Sequence, residues 1–103
     1  MIRNSTDLLF GEILDESAKY SLSDLCDRCG VEHTEVVSIV QYGIVEPEGD
    51  RPDTWRFSSV AAFRVHRAIR LQTELGLNLT GAALSLDLLD EIARLRRELR
   101  ARG

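Results

Sequence analysis

Cys26 and Cys29, three residues apart with His33 four further on, are the first residues whose spacing suggests chemistry. Cys-x-x-Cys is either a redox pair or half of a zinc site, and a structural zinc needs four ligands in a tetrahedral array. The chain has no second cysteine pair, and its other histidine, His66, falls in a separate segment. A regular helix through 26–29 holds the two thiols too far apart for easy disulfide closure, so the pair reads as small apolar filling. Four carboxylates, Asp24, Asp27, Glu32 and Glu35, crowd one short stretch. The only two histidines, His33 and His66, have no catalytic partner visible in the sequence. A nucleophile elbow and a phosphate-binding loop are both missing, the seven glycines sit where helices and turns end, and Asp90-Glu91 lies on an outer helical face. The expectation is a non-enzymatic protein that uses no metal and no cofactor, leaving charge and apolar stripes as its means of recognition.

Those stripes need elements to carry them. A chain of 103 residues with 44% apolar and 29% charged side chains is one ordinary globular domain, and its scarcity of aromatics (6%) suits packed helices better than a β-sandwich. The longest uninterrupted apolar run, Val60 to Phe63, is far short of the roughly 20 residues of a membrane span or the roughly 7–15 of a signal core. A cytoplasmic location is therefore expected, with no membrane contact.

Ser21 opens the first helix, with Asp24 placed for a capping box and Gly30 for a left-handed stop. Leu22, Leu25, Cys26 and Cys29 share one face. A second helix runs from about His33 to Tyr42, with Val36, Val37 and Val40 inward, and ends at Gly43 before Ile44. Two short helices joined by a tight glycine turn have the size of a helix-turn-helix. Val45-Glu46-Pro47 and Thr54-Trp55-Arg56-Phe57, around a loop of Gly, Asp and Pro, predict a hairpin wing. Ser58 or Ser59 caps a third helix reaching about Leu75. Its expected inner stripe is Ala61, Val65, Ala68, Ile69, Leu71 and Leu75, with Arg64, Arg67, Arg70 and Glu74 in solvent. Asn78 caps a last helix running nearly to the C-terminus; Leu79, Ala82, Ala83 and Leu86 join the core. Beyond them Leu88, Ile92, Leu95 and Leu99 repeat at spacings of 4, 3 and 4, a short a/d seam that fits a second copy. In the first nineteen residues, Leu9, Phe10, Ile13 and Leu14 fit either a short amphipathic helix or an added strand. The expected organisation is an N-terminal extension over 1–19, the winged helix-turn-helix over 20–77, and a packing and dimerisation helix over 78–103.

Charge is sorted along this frame. Residues 1–62 carry five basic against twelve acidic groups, while residues 63–103 carry eight arginines against five acidic groups, so a net −4 hides an acidic front and a basic tail. The expected fold class is mostly α, with a small hairpin and a long C-terminal helix.

Tyr20-Ser-Leu-Ser-Asp-Leu25, Cys29-Gly-Val31, Tyr42-Gly-Ile-Val-Glu-Pro47 and Thr54-Trp-Arg-Phe57 resemble the winged helix-turn-helix of the MerR superfamily. Gly81-Ala-Ala-Leu-Ser-Leu-Asp-Leu-Leu-Asp-Glu-Ile92, together with that Glu-Pro and Trp-Arg-Phe, resembles more narrowly its CbpM chaperone-modulator branch. The resemblance covers about Tyr20 to Arg100. It implies a protein that binds the J-domain of a DnaJ-like (CbpA-type) co-chaperone, blocks its stimulation of DnaK, and dimerises through the last helix.

The residues agree with that implication on electrostatic grounds. A DNA reader needs Lys or Arg against phosphate and base contacts from its second helix. The second helix here has neither basic residue type and is headed by Glu32 and Glu35. An acidic face complements the basic helix of a J-domain. Asp24, Asp27, Glu32 and Glu35 are thus expected to pair charge, and Tyr42 and Trp55 to act as apolar anchors; the competing reading, the weightier one for Trp55, has Trp55 packing the wing onto the helices and Tyr42 closing the same core. The alternative is a DNA-binding regulator laying Arg64, Arg67 and Arg70 along the backbone; a dimeric adaptor for another protein is a third reading.

Overall fold

The structure is a computed structural model and describes residues 17–102, so the expectations for Leu9, Phe10, Ile13 and Leu14 lie outside the described residues. Strand β1 (Lys19–Tyr20) leads into helix α1 (Leu22–Cys29) and helix α2 (His33–Gln41); after a loop come strand β2 (Phe57–Ser58), helix α3 (Ser59–Leu75) and helix α4 (Leu79–Arg102). Each helix start has a local cause. The Asp24 amide donates to Ser21 Oγ at 3.0 Å while the Ser21 amide donates to Asp24 Oδ2 at 2.9 Å, the reciprocal box read from the sequence. Ser58, not Ser59, caps α3, accepting from the Ala61 amide at 3.1 Å. Asn78 Oδ1 accepts from the Gly81 amide at 2.8 Å. Gly30 and Gly76 close α1 and α3 in the left-handed region.

One cluster forms the core. Leu25, Val36, Ile39, Phe57 and Val65 are its largest fully buried side chains, with Ala62, Ala68, Ala82 and Leu86 around them. The second-helix stripe differs from expectation: Ile39, not Val37 or Val40, joins Val36 inside, and the other two valines are half-buried. Helix α2 packs on both α1 and α3, so its innermost line is the one facing the junction between them. In α3 the buried set is Ser59, Ala62, Val65, His66, Ala68 and Ile69. That broad face touches α1, α2, α4 and β2 at once, whereas Leu75, past the last neighbour, is 67% exposed.

The wing is smaller than predicted. Glu48 and Arg56 form a lone bridge with both amide–carbonyl bonds at 2.9 Å, and Phe57–Ser58 pairs antiparallel with Lys19–Tyr20 instead. The two-stranded pairing across the chain takes over where the hairpin stops.

A compact chain of this length has a radius of gyration of about 13 Å. The observed 14.3 Å and the 46 Å long axis reflect α4, whose last buried residue is Leu86 and whose remaining residues to Arg102 are exposed.

Candidate functional site

The acidic set sits on the helix-turn-helix. Asp24 and Asp27 lie three apart on α1, hence on neighbouring positions of one helical face, and Glu32 and Glu35 stand at the N-cap and first turn of α2; all four are exposed. Two are also structural. Asp24 is held below the usual carboxylate range by the Ser21 backbone and side-chain bonds, with Arg28 and Arg56 adding to the effect against mild desolvation. The Glu35 carboxylate accepts from the Glu32 amide at 2.9 Å. Asp24 therefore stays ionised, both carboxylates are held in place by their caps, and Asp27 has no hydrogen-bond or ion-pair partner among the described residues.

The basic groups of the same body are occupied internally. Lys19 donates to Glu48 at 2.6 Å and pulls that carboxyl below its usual value. Arg51 lies 3.5 Å from Asp53, Arg28 sits over the Tyr20 ring with 5.0 Å to its centroid, and Arg56 donates to the Trp55 carbonyl at 2.8 Å. Arg64 and Arg70, expected in solvent, have side chains only 23% and 14% exposed. Arg64 bonds Asp87, Asp90 and the Ile44 carbonyl; Arg70 pairs with Glu74. Arg67 alone of that trio is exposed, over the Phe63 ring. Aromatic packing and ion pairs thus engage the cations that a phosphate backbone would need.

Tyr42 and Trp55, paired in the sequence reading, part company. Tyr42 follows α2 and is 56% exposed, available to a partner. Trp55 is 9% exposed, edge-on to Phe57 with ring centroids 6.0 Å apart and planes at 86°. The indole packs in the core, so little of it is left for the anchoring role expected of it. Val60, 77% exposed at the start of α3, was missed, because an apolar residue beside the core stripe gives no periodicity signal of its own.

The thiols are poorly placed for reaction. Burial, reinforced by Asp27 and Glu35, raises Cys26; burial, then Cys26, pushes Cys29 up to about 11 against a smaller effect of Arg28. Neither is a thiolate near neutral pH. His33 is exposed on α2 while His66 is buried in α3, and among the described residues no group of three or more His, Cys, Asp and Glu could hold a metal ion.

The second surface is on α4. Leu88, Ile92, Leu95 and Leu99 are 55, 45, 44 and 67% exposed, and Leu84 and Leu89 extend the strip. Arg94 bridges Glu91 and Glu98 along the helix. No helix among the described residues is long and apolar enough to cross a membrane.

A capped helix-turn-helix, a one-bridge wing and a long exposed helix define a winged helix-turn-helix protein, and residues 20–101 match the family described as MerR HTH family regulatory protein. Within it, a protein named chaperone modulatory protein CbpM from Pseudomonas entomophila (strain L48) is 43% identical over 74 residues, 72% of this chain and 73% of that one. Proteins of the same name from Escherichia coli O1:K1 / APEC and Shigella boydii serotype 18 are 40% identical over 81 residues, 79% of this chain and 80% of theirs. The chain belongs to the MerR-like chaperone modulatory protein family. By name its curated relatives are modulators of chaperones.

Proposed function

We propose that this protein binds the J-domain of a CbpA-type, DnaJ-like co-chaperone and, by occupying the surface DnaK needs, inhibits stimulation of the DnaK ATPase without performing chemistry. The observation that carries the reading is the charge of the helix-turn-helix: Asp24, Asp27, Glu32 and Glu35 are exposed, while nearby cations are engaged by the protein's own carboxylates, carbonyls and rings. Such a face repels phosphate and attracts a cationic helix. Tyr42 supplies an exposed aromatic beside it. The body over 20–77 presents this face, and helix α4 joins two copies through Leu88, Ile92, Leu95 and Leu99. Two free thiols fit a reducing compartment, the cytoplasm.

The test is titration of the protein into a DnaK ATPase assay stimulated by a CbpA-type J-protein from the same cell. Inhibition that saturates with J-domain binding is expected, and Asp27→Lys with Glu32→Lys weakens both. Absence of inhibition at saturation together with absence of binding ends the reading. The alternative, a DNA-binding regulator, draws on the family description; retention of duplex DNA at physiological salt in a mobility-shift titration would favour it. Against it stand the ion pairs of Arg64 and Arg70, two of the three arginines it requires.

A further inference from the structure

Helix α4 leaves the body at one guanidinium. Its last buried residue is Leu86, and on the next turn Asp87 Oδ1 and Asp90 Oδ2 lie 3.1 and 2.8 Å from Arg64 Nη2 and Nη1. The same side chain donates from Nε to the Ile44 carbonyl at 2.7 Å, one residue past the Gly43 that ends the helix-turn-helix. Arg64 stands mid-way along α3 and is largely covered, with 23% of its side chain exposed. One planar fork thus holds three acceptors on two other pieces of chain, 20 to 26 residues from their anchor. The geometry points to Arg64 as the positioning residue that fixes the direction in which the C-terminal half of α4 projects from the helix-turn-helix.

The apolar contact between α3 and α4 leaves that direction under-determined. Ala82 and Leu86 are the buried residues of α4, with Leu79 and Ala83 partly buried against the core; all four lie in its first turns, so the contact acts as a pivot near one end of a 24-residue helix. Asp87 and Asp90 sit just beyond that pivot, three residues apart and so on one face. Restraint there acts on everything distal to it. Charge-assisted bonds in a fixed fork are directional and resist rotation, and lysine, a point charge with a flexible stem, cannot satisfy the carbonyl and both carboxylates together. The inference rests on contacts within one chain and holds whichever partner the acidic face binds.

The experiment measures a distance distribution between nitroxide labels at Thr34→Cys on α2 and Arg97→Cys on α4, in full-length chain diluted with unlabelled protein. Both engineered thiols are exposed, and they react ahead of Cys26 and Cys29, whose ionisation burial suppresses. The wild-type fork gives a single narrow peak. Arg64→Gln, Arg64→Lys and the pair Asp87→Asn with Asp90→Asn each broaden it at least twofold, and raised salt broadens the wild-type peak in the same direction. The aspartates are exposed, so their variant keeps the core and the test does not depend on how well Arg64→Gln folds. Narrow, superimposable peaks in the aspartate pair and Arg64→Lys would overturn the assignment. So would full rescue of the peak by lysine.

Discussion

Replacing Ile92 with alanine is the most informative single change, because it separates a seam that joins two copies from a helix that stands alone. With the four seam residues 55, 45, 44 and 67% exposed, each chain leaves the equivalent of about two complete apolar side chains in solvent. Full burial of such a side chain gains about 1.5–3 kcal/mol, so covering the seam in both chains gains roughly 6–13 kcal/mol. Association costs about 4–15 kcal/mol in lost rigid-body freedom and ordering. The terms are close, which makes one residue decisive. Ile92, at 45% exposure, accounts for about 1.4–2.7 kcal/mol over two copies, a roughly 10- to 100-fold rise in the dimer dissociation constant at about 1.4 kcal/mol per decade. Sedimentation equilibrium across a concentration series reads this directly. Alanine also has the better helix propensity, so helicity at high protein concentration is unchanged. By contrast Leu86→Ala, at 3% exposure, destabilises the fold itself by about 2–5 kcal/mol. A wild-type chain that stays monomeric at hundreds of micromolar, or an Ile92→Ala chain with wild-type dimer affinity, would refute the reasoning.

The remaining expectations concern stability and salt. Phe57 is fully buried against Trp55, so Phe57→Ala lowers unfolding free energy by about 3–5 kcal/mol in urea titration. Gly49 has φ of +108° and a β-carbon there would meet the Thr54 carbonyl oxygen at 2.8 Å; Gly49→Ala shifts the urea midpoint down, and an unchanged midpoint would show that the loop relaxes freely. Burial holds His66 below the ordinary histidine range, with Arg67 assisting and Glu74 opposing. The unfolded chain then takes up a proton first, so stability falls as pH drops below about 6.5, and His66→Gln flattens that fall between pH 7.5 and 5.5. Affinity for the J-domain declines as salt rises, because exposed charge pairs are screened; a calorimetric titration flat from low to high salt would count against the acidic face.

The parts of the molecule visible in the sequence are those fixed locally. Ser21 with Asp24, Ser58, Asn78, Gly30 and Gly76 each do in the structure what their type and position imply, because caps and stops need only neighbouring backbone. The errors arise where distant segments compete. Phe57 was assigned to a hairpin but is claimed by Tyr20 across the sheet. Periodicity alone placed Leu75 inside and missed Ile39, since it reports a face and not what lies opposite. Arg64 was read as a solvent-facing charge, and its acceptors lie 20 to 26 residues away. Among the candidate site residues, the four carboxylates are as exposed as expected. Trp55 is not, because an aromatic next to a β-prone residue suits a core and an anchor equally well before the fold is known.

Net charge is a poor guide to what a partner meets here. From Leu86, the last buried residue of α4, to Arg96 is ten residues, about 15 Å of helix, and to Arg102 about 24 Å. The Debye length at physiological salt is about 8 Å, so the distal arginines do little to cancel the field over Asp24, Asp27, Glu32 and Glu35. A cation approaching the helix-turn-helix therefore meets the acidic body and not the −4 of the whole chain. The brace at Arg64 bears on the same point: its charge offsets the two exposed carboxylates nearest the pivot, Asp87 and Asp90, and leaves Arg96, Arg97, Arg100 and Arg102 as a distinct basic end. Acidic and basic regions held apart by a fixed helix can act independently. Charge reversal on the helix-turn-helix should then change partner affinity and leave self-association through the seam untouched.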